Sequence, residues 1–211
     1  MEKYQNRWDA GKTLAHQLKN YAKQSDVIVL GLPRGGVPVA YEIATFLSAP
    51  LDVFIVRKLG VPGHEELAFG ALGMGNVVVF NQDIVQTLHI SEKMIQKVIT
   101  EEEQELQRRE LRYRGNKSFP HLKNKKIILV DDGIATGATM RAAVNALRRL
   151  QPAFIIIAVP VMPNTIYKSM VGIVDKVVCP LIEDDFYAVG AYYTEFEQTT
   201  DEEVSTLLSL F

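Results

Sequence analysis

The sequence predicts a doubly wound α/β domain whose sheet is mainly parallel and flanked by helices. Three observations carry this expectation. Short Val- and Ile-rich runs at 27–30, 127–130 and 154–159 are uniformly apolar, as strands buried on both faces are. Segments with helical spacing of apolar residues separate them. Turns of glycine and other small residues sit where strand hands over to helix. With 211 residues, 47% hydrophobic and 23% charged, the chain can enclose one core, and disorder over most of its length is excluded. A single domain over 1–211 is expected.

Apolar residues recur at Tyr4, Trp8, Gly11, Leu14, Ala15, Leu18 and Tyr21, steps of three and four that predict a first amphipathic helix over 4–22. The 27–30 strand ends at Gly31-Leu32-Pro33-Arg34-Gly35-Gly36, and a helix follows over 37–47. A second buried strand is expected over 51–56, ending at Arg57-Lys58. Gly60, Pro62, Gly63, Gly70, Gly73 and Gly75 then punctuate a stretch that reads as a mobile loop followed by a hairpin, 59–80 in all. Residues 91–114 form a long, heavily charged helix with a thin stripe of Met94, Val98, Leu106 and Leu111; such a face suits solvent or a second subunit. Strand, helix and strand recur at 127–130, 139–150 and 154–159, with a short helix near 164–170 and a further strand at Val177-Val178. Thr200 followed by Glu203 fits a capping box opening a terminal helix. Residues 181–211 are expected to supply a small hood and that helix.

Composition narrows the partners. The formal charge is −2, from 23 basic and 25 acidic residues, so no global positive field draws nucleic acid or an anionic membrane. A lone Cys179 allows no internal disulfide or Cys-rich metal site. The apolar runs fall far short of the roughly 20 residues a bilayer crossing needs. The first residues lack the apolar core of a signal peptide, and a cytoplasmic location is expected.

Chemistry concentrates in Ile128-Leu129-Val130-Asp131-Asp132-Gly133-Ile134-Ala135-Thr136-Gly137-Ala138-Thr139. A buried strand ends there at two adjacent carboxylates, and a loop of small and hydroxyl residues leads into a helix. In a doubly wound sheet this is the carboxyl edge, where ligands bind. Gly133, Ala135, Gly137 and Ala138 have little bulk, so backbone N–H groups can turn toward an anion; Thr136 and Thr139 add hydroxyls; the helix dipole favours a phosphate. The acid pair would repel a phosphate but suits sugar hydroxyls or Mg²⁺. A ribose 5-phosphate has that polarity. A bare turn before a helix cap would use some of these residues, but not all of them in this order. A phosphate loop of the G-x-x-x-x-G-K-[ST] type is absent, and no strand leads into G-x-G-x-x-G.

This segment resembles the phosphoribosyl pyrophosphate (PRPP) signature of the type I phosphoribosyltransferases. The similarity extends to Gly31-Leu32-Pro33-Arg34-Gly35-Gly36-Val37, where that family places its pyrophosphate loop, and to Val56-Arg57-Lys58-Leu59-Gly60-Val61-Pro62-Gly63 with Glu65-Glu66-Leu67-Ala68. It covers roughly 8–180, and is nearest to bacterial members whose acceptor is poorly defined. The resemblance implies that Asp131 and Asp132 bind the ribose hydroxyls, directly or through Mg²⁺. It implies that Ala135, Thr136, Gly137, Ala138 and Thr139 cradle the 5-phosphate, and that Arg34, Gly35 and Lys58 hold pyrophosphate, often through a strained peptide bond at the first loop. Arg34, Lys58, Asp131 and Asp132 are thereby the catalytic candidates. The expected activity is transfer of ribose 5-phosphate to a nitrogenous acceptor, a nucleobase by default, with pyrophosphate released and the 59–75 segment as lid.

Two other classes stay open: a PRPP- or nucleotide-sensing regulator without turnover, and a hydrolase or phosphorylase working at the same site. Phe186 and Tyr187, with Tyr192 and Tyr193, could stack on a planar acceptor or equally pack the terminal helix or a dimer interface. Asp184 or Asp185 could accept from a ring N–H. Glu65, Glu66 and His64 lie in the loop as substrate contacts or as solvated side chains; His16, His89 and His121 suggest no metal cluster. A homodimer would be ordinary for the family.

Overall fold

A computed structural model describes residues 3–211, apart from the side chains of Glu65 and Glu66, so any role for those two carboxylates lies outside the described residues. The chain forms, in order, α1 (Arg7–Gln17), β1 (Val27–Gly31), α2 (Gly36–Leu47), β2 (Leu51–Val53), β3 (Val56–Val61), β4 (His64–Gly73), β5 (Val77–Phe80), α3 (Gln82–Thr87) and α4 (Glu92–Arg114). It continues with β6 (Lys126–Val130), α5 (Ala138–Arg149), β7 (Phe154–Ala158), β8 (Val161–Pro163), α6 (Asn164–Val171), β9 (Lys176–Val178), β10 (Leu181–Glu183) and α7 (Asp201–Ser209).

The central sheet is parallel throughout and ordered β2-β1-β6-β7-β9. Every residue of β1 is buried, and β6 and β7 are buried beyond their first residue. That burial on both faces is why the runs are uniformly apolar. From β1 the chain moves outward to β2 on one side, whereas β6 leads to β7 and β9 on the other. Crossovers running in opposite directions leave a crevice where the order reverses, between β1 and β6. Gly31 pairs with Val130, so the two loops leave the sheet side by side.

The expected 51–56 strand divides in two. β2 stays in the central sheet; after Phe54, whose N–H still reaches the Gly31 carbonyl, the chain turns away. Ile55 then exchanges hydrogen bonds with Met74, and β3 enters a separate antiparallel sheet. Phe54 and Ile55 are both buried, and an unbroken apolar run looks the same whichever sheet covers it. Most of the stretch expected as a loop is strand: β3, β4 and β5 form a meander whose first turn is Pro62-Gly63. Leu59, Phe69 and Leu72 are buried, and a Cβ on Gly73 would lie 2.7 Å from that of Ala146 on α5, which fixes the meander against that helix.

α4 packs within its own chain, on the meander and α7. Ile99, Leu106 and Tyr113 are buried there, while Met94 and Leu111 of the expected stripe are exposed. The first helix is shorter than its periodicity, because Asn6 caps it by accepting from the Asp9 N–H and residues 19–21 tighten into a 3-10 turn. Tyr4 instead lies beside the C-terminal segment: its N–H donates to the Tyr192 carbonyl and its carbonyl accepts from Thr194. The region expected as a hood thus takes in both ends of the chain, next to a two-stranded parallel sheet of β8 and β10. The Thr200 hydroxyl caps α7 through the Glu203 N–H.

Candidate ligand site at the carboxyl edge of the sheet

β6 delivers Asp131 and Asp132 to the crevice, and both side chains are half-buried. The Asp132 N–H donates to Asp131 Oδ1 at 2.9 Å, folding the first carboxylate back over the turn. Burial pushes both carboxyls above the usual carboxylate range; at Asp131 the neighbouring Asp132 charge adds to the effect, and at Asp132 the Arg7 guanidinium opposes it. Ile134 anchors the next part of the loop by burying its side chain and donating its N–H to the Val161 carbonyl. Gly137 has φ +76, a left-handed conformation costly for other residues, and opens α5. A Cβ there would come 2.5 Å from the Met170 methyl. Ala135, Thr136, Ala138 and Thr139 are exposed around it, at the positive end of the α5 dipole.

The loop after β1 abuts this turn. A Cβ on Gly35 would lie 2.1 Å from Asp132 Oδ2, so only glycine lets the two loops meet. The Pro33–Arg34 peptide bond is cis. Arg34 is exposed, with Nη1 3.9 Å from Asp201 at the start of α7. Lys58 sits within β3 rather than at the carboxyl end of a central strand. It lines a cavity of about 670 Å³ between the meander and α5, shared with Ala138 and Arg141, and among the described residues it forms no ion pair. Phe186 and Tyr187 part company: Phe186 stacks on Tyr192 with ring centroids 5.5 Å apart, whereas Tyr187 is 93% exposed. Asp184 accepts from the Asn164 side-chain amide.

Sequence reasoning missed Arg7 and Arg141, and it named Tyr193 without its contact to the acid turn. Arg7, from the first turn of α1, pairs with Asp132. Tyr193 donates its hydroxyl to the Asp132 carbonyl at 2.6 Å. Arg141 braces the phosphate-loop candidate, donating to the Thr136 carbonyl and to the Ser169 hydroxyl. Arg141, one turn into α5 beyond a small-residue loop, had a local signal; Arg7 and the Tyr193 contact had none.

No group of three or more His, Cys, Asp or Glu side chains converges among the described residues. The donor set at the crevice is two adjacent carboxylates, one already held by a guanidinium. That fits Mg²⁺, which keeps most of its water or ligand oxygens and takes one or two carboxylates; it does not fit a metal caged by protein alone.

Fold and site together define an α/β protein whose parallel sheet reverses order between an acid-ended turn and a glycine loop, the place where folds of this class take their ligands. The family model for the phosphoribosyl transferase domain matches residues 75–196, and the chain belongs to this family. TT1426 from Thermus thermophilus has a crystal structure that superposes with a TM-score of 0.87; it is 36% identical, over 98% of this chain and 97% of that one. Rv0571c of Mycobacterium tuberculosis strain H37Rv, provisionally named a phosphoribosyl transferase, is 45% identical over 99% of this chain but only 47% of its own length. The chain therefore spans about half of that relative. AQ2163 from Aquifex aeolicus, 11% identical with a TM-score of 0.51 over 96% of this chain and 84% of that one, shares the fold alone. Among the described residues no helix is long and apolar enough to cross a membrane.

Proposed function

We propose that the protein binds PRPP with Mg²⁺ at the β1–β6 crevice and transfers its ribose 5-phosphate to a nitrogenous acceptor, releasing pyrophosphate. The observation that carries this reading is the turn after β6, acids first and an exposed small-residue helix start second, laid against the glycine loop after β1. Asp131 and Asp132 accept from the ribose hydroxyls. Backbone N–H groups and hydroxyls of Ala135, Thr136, Gly137, Ala138 and Thr139 hold the 5-phosphate, assisted by the α5 dipole. The acceptor nitrogen forms a bond to the anomeric carbon as the bond to the pyrophosphate oxygen breaks. Negative charge then grows on the departing oxygens, and Arg34, Lys58 and the Gly35 backbone meet it there. When bound, Mg²⁺ adds charge neutralisation at the pyrophosphate oxygens. The 59–75 segment, as a lid closing over this end, would keep water from the positively charged sugar. A nucleobase is the default acceptor, and Phe186 or Tyr187 would stack on it.

A binding-only regulator is the second reading. The observation on its side is Arg34, whose guanidinium already has a carboxylate partner, Asp201 on α7. Hydrolysis or phosphorolysis at the same site is the remaining variant.

Calorimetry with PRPP and Mg²⁺, followed by a pyrophosphate-release assay across a panel of bases, separates these readings. Release with one base supports transfer; tight binding with silence across the panel supports the regulator. Asp131→Asn combined with Asp132→Asn should abolish PRPP binding while leaving the fold intact, and unchanged affinity would remove the site assignment.

A further inference from the structure

The guanidinium of Arg7 joins three parts of the chain that are distant in sequence. Its Nε and Nη2 both lie 2.8 Å from Asp132 Oδ2, with the two side chains only 11% and 16% exposed. Its Nη1 donates to the Glu197 carbonyl at 2.6 Å. Its flat face lies over the Phe196 ring, 4.0 Å from the centroid, and that ring stacks on Tyr193. Tyr193 closes the circuit by donating to the Asp132 carbonyl. The arrangement is fixed from behind: Asn6 caps α1, so Arg7 opens the helix. A Cβ on Gly11 would lie 2.7 Å from that of Glu42, which holds α1 tightly on α2, the helix that starts straight after Gly35.

Both Arg7 contacts fall on the same carboxylate oxygen. Asp132 Oδ1 receives no hydrogen bond from another residue among those described, and it is the oxygen left for a ligand. We infer that Arg7 is a positioning residue: it holds Asp132 in one rotamer with Oδ1 available to a ribose hydroxyl, and it straps the 193–197 segment of the hood to the sugar end of the site. This rests on the PRPP reading above. A lysine could keep the charge but not the fork that grips one oxygen, the hood carbonyl and an aromatic face together.

The test uses Arg7→Lys and Arg7→Gln in the full chain, with affinities for PRPP and for inorganic pyrophosphate measured separately in Mg²⁺, because pyrophosphate occupies the leaving-group end and lacks the sugar. Both variants should lose PRPP affinity about tenfold or more, the size of a lost charge-assisted contact, while pyrophosphate affinity stays within about twofold. Hydrogen exchange at 193–199 should quicken in both. If Arg7→Lys binds PRPP as the parent does, the inference is overturned. Equal losses for PRPP and pyrophosphate also overturn it, since they mark general damage and not a sugar-end role. A parent protein that binds pyrophosphate but not PRPP overturns the functional reading itself, and the inference falls with it.

Discussion

Asp131 shows the cost of a site built on buried acids. Its carboxyl is held well above the ordinary range by burial, with Asp132 adding repulsion. A raised folded-state value means that folding takes up protons: the ionised acid destabilises the fold in full above that value, and the penalty is gone below the ordinary carboxylate range. Asp131→Asn should therefore melt at a higher temperature than the parent at pH 8, with the gap closing as the pH falls toward about 4. Melting curves across that range check this, and a gap independent of pH would contradict it. The acid pair and the small-residue loop were legible in sequence because chain neighbours stay neighbours: one strand end delivers both carboxylates, and the helix start follows within a few residues. Lys58 was only partly legible. It was expected at the end of a second central strand, but it projects from the meander, beside a cavity shared with α5.

At the scale of elements, α4 is the clearest case of charge serving packing. Its helical spacing reads plainly, and Ser91 caps it by accepting from the Met94 N–H. The surface its buried side covers does not read from sequence. Near its end Arg114, with a side chain 2% exposed, donates Nε and Nη2 to the two Asp52 oxygens and bonds Glu110 and the Ser118 carbonyl. This ties α4 to β2. Arg114→Met would leave two carboxylates facing each other without their cation, at a cost of about 3 kcal/mol. Urea unfolding should show it as a lowered midpoint with an unchanged slope, and Asp52→Asn should lose less. Solvent and a second subunit were the faces expected for α4 because most of its residues are charged. Its burial depends on Ile99, Leu106 and Tyr113, too few to identify what they meet. The meander escaped for a related reason: glycines that relieve crowding inside an antiparallel sheet read as loop residues when their partners are unknown. Gly70 is one, since a Cβ there would lie 2.5 Å from the Val79 carbonyl.

For the whole molecule, stability should grade outward from the switch point. β1, β6 and β7 are buried on both faces and paired on both edges, so their amides should be the last to exchange with solvent. Those of β10 and the 185–188 segment should be among the first. Native-state hydrogen exchange reads this directly; early exchange in β6 would mean that the core is organised elsewhere. The sequence by itself determined the parallel core, its helices, and the turn of acids and small residues at the end of β6, because each is a local pattern: period, propensity and immediate succession along the chain. The tertiary structure alone decided that residues 4–5 pair with the C-terminal segment, that β3 leaves the central sheet, and that Arg7 and Tyr193 converge on Asp132. Those meetings join residues up to 190 positions apart. Which distant partner a side chain finds is selected by the packing of the whole core, and no short window of residues contains that information.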